Sequence, residues 1–166
     1  MKNKRSAIKK IIYILLGASG AGKTTGGIYI KEVLKVPEFT STTTRDPREG
    51  EVEGYSYYFR NKLQFYFTRK IEKSNYGGNL YCLSKKEVDK VFSKNDKGFL
   101  IADIHGVQQI KDYYKDDPNV KVVVIYFDTT LELMEKRMRE RGDSEDNIKK
   151  RLDKAIKDKE LENGRY

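Results

Sequence analysis

Apolar residues fall along this chain in blocks whose spacing switches between the periods of strand and helix. Ile11 to Leu16 is a continuous apolar run bounded by Gly17, the pattern of a strand buried on both faces. A helix is expected to begin near Gly22. From Phe39 to Leu83 the chain is rich in Thr, Tyr, Gly and Arg and lacks helical periodicity over most of its length, which predicts a small strand-rich insertion. Ser84 followed by Glu87 is a capping-box pair that opens a helix whose apolar stripe is Val88, Val91 and Phe92. Phe99 to Asp103 and Val120 to Phe127 are two further strands. Thr129 with Glu132 is a second capping-box pair, opening a helix that Gly142 closes. Ile148, Leu152, Ala155 and Ile156 follow i, i+4, i+7, i+8, which predicts a last amphipathic helix burying those four.

Strands alternating with helices in this order give an α/β fold with an open parallel sheet and right-handed crossovers. At 166 residues the chain makes one domain, large enough for a real core. The basic stretch Lys2, Lys4, Arg5, Lys9 and Lys10 ahead of Ile11 to Leu16 imitates a secretory leader. The apolar run is too short for a leader or a membrane span, and a buried strand explains it better.

Composition narrows the partners. Hydrophobic residues make up 37% and charged residues 36%, with 12 Tyr and 7 Phe, so a disordered polyelectrolyte is disfavoured. Lys and Arg number 34 against 25 Asp and Glu, a net charge of +9. Such a field attracts nucleic acid, an anionic membrane or phosphorylated small molecules, and charge alone does not rank them. A single cysteine, Cys82, rules out an intrachain disulfide and a cysteine-based zinc site and fits a reducing, cytoplasmic compartment.

The ranking comes from motifs. Gly17-Ala18-Ser19-Gly20-Ala21-Gly22-Lys23-Thr24 fits G-x-x-x-x-G-K-[ST] between a strand and a helix start. Glycines let successive backbone N–H groups turn toward phosphate oxygens, and the following helix adds its positive end. Lys23 can reach the β- and γ-phosphates, and the Thr24 hydroxyl can hold Mg²⁺. Gly17 to Thr24, with Thr25 beside it, are the expected ATP-binding residues. Downstream, Arg45 and Arg48 flank Pro47 behind a run of hydroxyl residues. Guanidinium groups grip phosphate bidentately, so this segment can hold the phosphate of an acceptor with help from Tyr57; a solvated basic loop has the same spacing.

Here the sequence resembles the guanylate kinase family. S-x-T-T-R-x-P-R-x-G-E followed by G-x-x-Y-x-F is that family's acceptor signature, matched by Ser41 to Glu51, Gly54, Tyr57 and, one residue displaced, Phe59. Gly78-Asn79-Leu80-Tyr81 resembles its G-N-Y-Y, and Lys136 to Gly142 with Lys150-Arg151-Leu152 resembles its lid. The resemblance implies a P-loop sheet flanked by helices, a strand-rich acceptor-binding insertion and a helical lid. Their bounds would be a core at about 11–38 and 98–136, the insertion at 39–97 and the lid at 137–151. It implies GMP-binding roles for Ser41, Arg45, Arg48, Tyr57, Glu72, Tyr81 and Asp103, with Glu72 accepting from guanine N1 and the N2 amine. Lys23, Arg137, Arg141 and Arg151 would act on the transferring phosphoryl group.

Four departures from the family set further expectations. Leu83 stands where the family carries a hydroxyl that bonds guanine, so one base contact should be missing. Ile101 replaces the first of two acidic residues, leaving Asp103 alone. The stretch from Phe59 to Glu72 and the lid are both shorter. The sequence ends at Tyr166, where the family continues into a final strand and helix. The function implied is ATP-dependent phosphorylation of GMP to GDP with Mg²⁺, by a monomer or homodimer that engages neither nucleic acid nor membrane. Two other functions compete with it: kinase action on another nucleoside monophosphate or ribose phosphate, and a non-catalytic interaction module of the same fold.

Overall fold

A computed structural model describes residues 9–76, 78–157, 159 and 161–162. The basic stretch before Lys9 and the residues after Glu162 lie outside them. β1 (Lys10–Leu16) is the middle of a three-stranded parallel sheet, paired on one side with β6 (Lys97–Ile101) and on the other with β7 (Val120–Tyr126). The apolar run read as a strand is thus the centre of the core, with Ile12, Ile14 and Leu15 fully buried. α1 (Lys23–Glu32) packs on β1 and β6, its Gly27 against Leu15 and Phe99, whereas α4 (Ile104–Tyr114) packs on β1 and β7, its Val107 and Ile110 in the core with Ile12 and Ile14. After α1 the chain runs beside β6, where the Phe39 N–H donates to the Phe99 carbonyl at 2.8 Å, and Phe39 packs into the core.

The insertion is a second sheet. β2 (Thr42–Thr43) pairs in parallel with β3 (Tyr58–Phe59) and antiparallel with β5 (Asn79–Ser84), which pairs antiparallel with β4 (Lys70–Tyr76). Between β3 and β4 lies α2 (Lys62–Phe67), a short helix inside the segment expected to be strand-rich. Its signal was present: Asn61 and Gln64 form a reciprocal capping box.

Local chemistry relocates several expected features. Ser84 caps α3 (Lys85–Phe92) by accepting from the Glu87 N–H at 3.1 Å. The Glu87 side chain does not complete the box. It is 3% exposed and accepts from the Thr40 N–H and the Tyr58 hydroxyl, tying helix to insertion. The cap of α5 (Leu131–Glu140) is Thr130, one residue past the expected Thr129; the Thr130 hydroxyl accepts from the Leu133 N–H. β6 ends at Ile101, and Asp103, expected within it, instead caps α4 by accepting from the Gly106 N–H at 2.8 Å. In α6 (Glu145–Lys157) Ile148 and Ala155 are buried as expected, but Ile156 is 58% exposed. Apolar spacing alone did not fix how far the buried stripe extends.

α5 and α6 pack on each other around a small separate core of Met134, Met138, Ile148 and Ala155. That core includes Ala18 of the glycine-rich loop, so the helical pair is seated on the loop itself. No helix among the described residues is long and apolar enough to cross a membrane.

Candidate active site

Parallel sheets present ligands at the carboxyl ends of their strands. Here β1 ends in the glycine-rich loop and β6 ends in Leu100 to Asp103, and both flank a cavity of about 550 Å³. The loop can only be built with glycine at its bends. Gly17 has φ +151°, and a side chain there would meet the Phe127 carbonyl at 2.6 Å. Gly22, the residue before α1, has φ +98°. Lys23 starts α1 and folds back, its ammonium donating to the carbonyls of Gly17 at 2.7 Å and Ala18 at 2.8 Å. Gly17, Ser19 and Lys23 line the cavity directly. Ala18, Gly20, Ala21, Gly22, Thr24 and Thr25 form the loop and helix start behind it.

On the opposite wall, the second sheet brings Ser41, Arg45, Arg48, Tyr57 and Tyr81 to the same cavity. Glu51 organises this cluster. Its carboxylate takes both Nη atoms of Arg45, at 2.7 and 3.0 Å, and the Arg48 backbone N–H at 2.7 Å. The guanidinium also stacks over the Tyr57 ring, 5.4 Å from its centroid, and Tyr57 meets Tyr81 edge-on at 6.0 Å. The ion pair holds the Glu51 carboxyl below its ordinary range and the Arg45 guanidinium above its own. Burial pushes the Tyr57 phenol up, so it stays a donor. Motif spacing marked the arginines; the role of Glu51 needed the structure.

Glu72 and Ser74 on β4, with Ile101 and Asp103 from the end of β6, complete the lining. Glu72 is 8% exposed, and burial pushes its carboxyl up to about 7. The Leu83 N–H, donating to Oε2 at 3.3 Å, and the nearby Ser74 hydroxyl counter that rise, while the neighbouring Asp103 charge adds to it. The Glu72 side chain sits close under Gly106, where a β-carbon would stand 3.3 Å from its Cγ.

The helical pair delivers its arginines unequally. Arg151 lines the cavity and donates to the Ser19 hydroxyl at 2.6 Å. Arg137 donates to the Gly20 carbonyl at 3.1 Å, touching the loop from outside the cavity wall. Arg141 is not brought there; it pairs with Asp143 and is half exposed. Lys154, one turn beyond Arg151 on α6, lines the cavity in its stead, a residue its i, i+3 spacing from Arg151 could have flagged. Five cationic side chains and three carboxylates therefore face one cavity, an excess suited to ligands carrying several phosphate charges. His105 is exposed on α4 and Cys82 is buried with its thiol pushed up to about 11, and neither lines the cavity.

The fold and the sequence have clear relatives. A family model described as guanylate kinase matches residues 9–163. A guanylate kinase of Fusobacterium nucleatum is 36% identical over 159 residues, covering 91% of this chain and 82% of that protein. One of Clostridium tetani is 33% identical over 158 residues, covering 90% and 73% respectively. The crystal structure of guanylate kinase from Anaplasma phagocytophilum superposes with a TM-score of 0.56 at 20% identity, over 95% of this chain and 88% of that one, a likeness of fold.

Proposed function

The chain belongs to the guanylate kinase family, and from that premise we infer how its cavity carries out the ATP-dependent phosphorylation of GMP. The observation that carries the assignment of roles is the joint lining of one cavity by the glycine-rich loop, the Arg45–Arg48–Glu51 cluster and the buried Glu72. The triphosphate lies along Gly17 to Thr24, where inward N–H groups and the start of α1 meet its oxygens. Lys23 exchanges the Gly17 and Ala18 carbonyls for phosphate oxygens. Arg45, Arg48, Ser41, Tyr57 and Tyr81 hold the acceptor phosphate, with Glu51 fixing the Arg45 fork so that its remaining N–H groups face the ligand. Glu72, as a carboxylate, accepts from guanine N1 and the N2 amine, and Asp103 adds a second negative group near that edge.

One acceptor phosphate oxygen then attacks the terminal phosphorus in line, the bond to the bridging oxygen breaks, and ADP leaves with that electron pair. Arg151 and Arg137, both already touching the loop, neutralise charge spreading over the transferred group. Mg²⁺ fits this site in the manner of a cation shared with substrate. Among the described residues no group of three or more His, Cys, Asp or Glu forms a protein cage, while Thr24 offers a hydroxyl at the loop, leaving other positions to phosphate oxygens and water. Bound there, Mg²⁺ supplies neutralisation of phosphate charge.

A coupled assay of ADP formation tests this function. Purified protein with ATP and Mg²⁺ is expected to form ADP only when GMP is added; formation independent of GMP, or none with it, would overturn the proposal.

A further inference from the structure

Glu72 and Ser74 stand two residues apart on β4, and the period-two alternation of a strand turns both toward the cavity while Lys73 and Asn75 are exposed. The Ser74 hydroxyl lies near enough to the Glu72 carboxyl to favour its charged form. Leu83, opposite Glu72 in the β4–β5 register, contributes only its backbone N–H; its side chain is fully buried in the core and lines no part of the cavity. The outer edge of guanine presents two kinds of donor, N1–H and the N2 amine, and one acceptor, O6. A carboxylate rewards the donors and repels the acceptor, so O6 needs a hydrogen-bond donor of its own. Beside Glu72 the wall offers Asp103, an acceptor, and Ile101, which has no polar side chain; the hydroxyl there belongs to Ser74.

We infer that Ser74 is a specificity-determining residue that donates its hydroxyl proton to guanine O6, taking the place of the base contact missing at Leu83. The inference rests on the guanylate kinase function above. The Ser74 hydroxyl and the Glu72 carboxyl face the same cavity side by side. When guanine arrives, its N–H groups occupy the carboxylate and Ser74 turns to O6, so one hydroxyl both orients the carboxylate and reads the base.

The test compares GMP with 6-thio-GMP, whose sulfur is a poor acceptor while N1–H and the N2 amine remain. KM and kcat are measured for the unsubstituted protein, Ser74→Ala and Ser74→Thr, with a thermal midpoint for each. The unsubstituted protein is expected to show a KM for 6-thio-GMP about tenfold above that for GMP, one hydrogen bond's worth. Ser74→Ala should raise the GMP KM about tenfold with kcat within about twofold, leave 6-thio-GMP nearly unchanged and so collapse the ratio toward one. Ser74→Thr should restore the ratio. Equal losses on both substrates would mean that Ser74 only positions Glu72, and they overturn the inference. So does an unchanged GMP KM in a folded Ser74→Ala. Absence of GMP turnover by the unsubstituted protein is a different failure, overturning the function and the inference with it.

Discussion

The two ends of the cavity are built by opposite means. At the base end, Glu72 and Ser74 sit on a strand paired along its length with β5, and Glu72 is almost wholly buried and held by a backbone N–H. At the donor end, Arg137 and Arg151 reach the glycine-rich loop from a helical pair with its own small core, through a single hydrogen bond each to Gly20 and Ser19. On the proposed function, the base end serves as a preformed surface for choosing the acceptor. On the same proposal, the donor end relies on long side chains to settle around the transferred charge. Recognition should therefore be read in KM and its pH dependence, and charge stabilisation in kcat.

The largest effect should come from Lys23. Lys23→Ala removes the cation seated in the glycine-rich loop, and kcat should fall by about 10² to 10³ while the acceptor KM stays within a few-fold. Next is Glu72→Gln, which should raise the GMP KM about 10- to 100-fold with a much smaller change in kcat, the size of hydrogen bonds to a charged group. In the unsubstituted protein Glu72 is protonated below about pH 7, so the GMP KM should climb as pH falls through 7 and level off above 8; Glu72→Gln should flatten that profile. Arg151→Ala should lower kcat about tenfold or more and Arg141→Ala less than about threefold, because only the first side chain enters the cavity. Equal losses would show that the helical pair rearranges to bring Arg141 in, and would blur the contrast between the two ends.

The smallest effect is on stability. The folded carboxyl of Glu72 holds its proton more tightly than an unfolded one, whose ordinary value lies near 4.3. Its contribution is therefore complete below that value and is lost as pH rises through about 7. Thermal or urea unfolding at pH 8 should find Glu72→Gln more stable by about 1 to 3 kcal/mol, with the gain vanishing near pH 4.

The donor end was the more legible in sequence. A glycine-rich loop between an apolar strand and a helix is a contiguous signal, since its function is carried by backbone geometry that needs glycine at fixed places. Arg45 and Arg48 were equally visible, but from spacing alone they also fit a solvated loop, and only the contacts of Glu51 show that the segment is an ordered cluster. The base end was obscure because its parts meet through pairing between strands far apart in sequence. Ser74 carries no motif, and its meaning appears only once β4 alternation turns it toward the cavity beside Glu72. Leu83, read as the position of a missing base contact, has its side chain wholly in the core. Caps failed where two candidates were adjacent: Thr129 and Thr130 have equal intrinsic claim, and Thr130 is the one that caps α5. Arg141 and Lys154 show the same limit, since composition offers many cations on α5 and α6 and only packing selects which enter the cavity.

The division of labour between the two ends is tested most directly by the ratio of kcat/KM for GMP to that for AMP, measured in the unsubstituted protein, Glu72→Gln and Arg151→Ala. Glu72→Gln should lose most of the preference for GMP through KM, whereas Arg151→Ala should keep the preference intact while both rates drop through kcat. A preference for GMP that survives Glu72→Gln, or that disappears in Arg151→Ala, would contradict the assignment of recognition to the buried strand and of charge stabilisation to the helical pair.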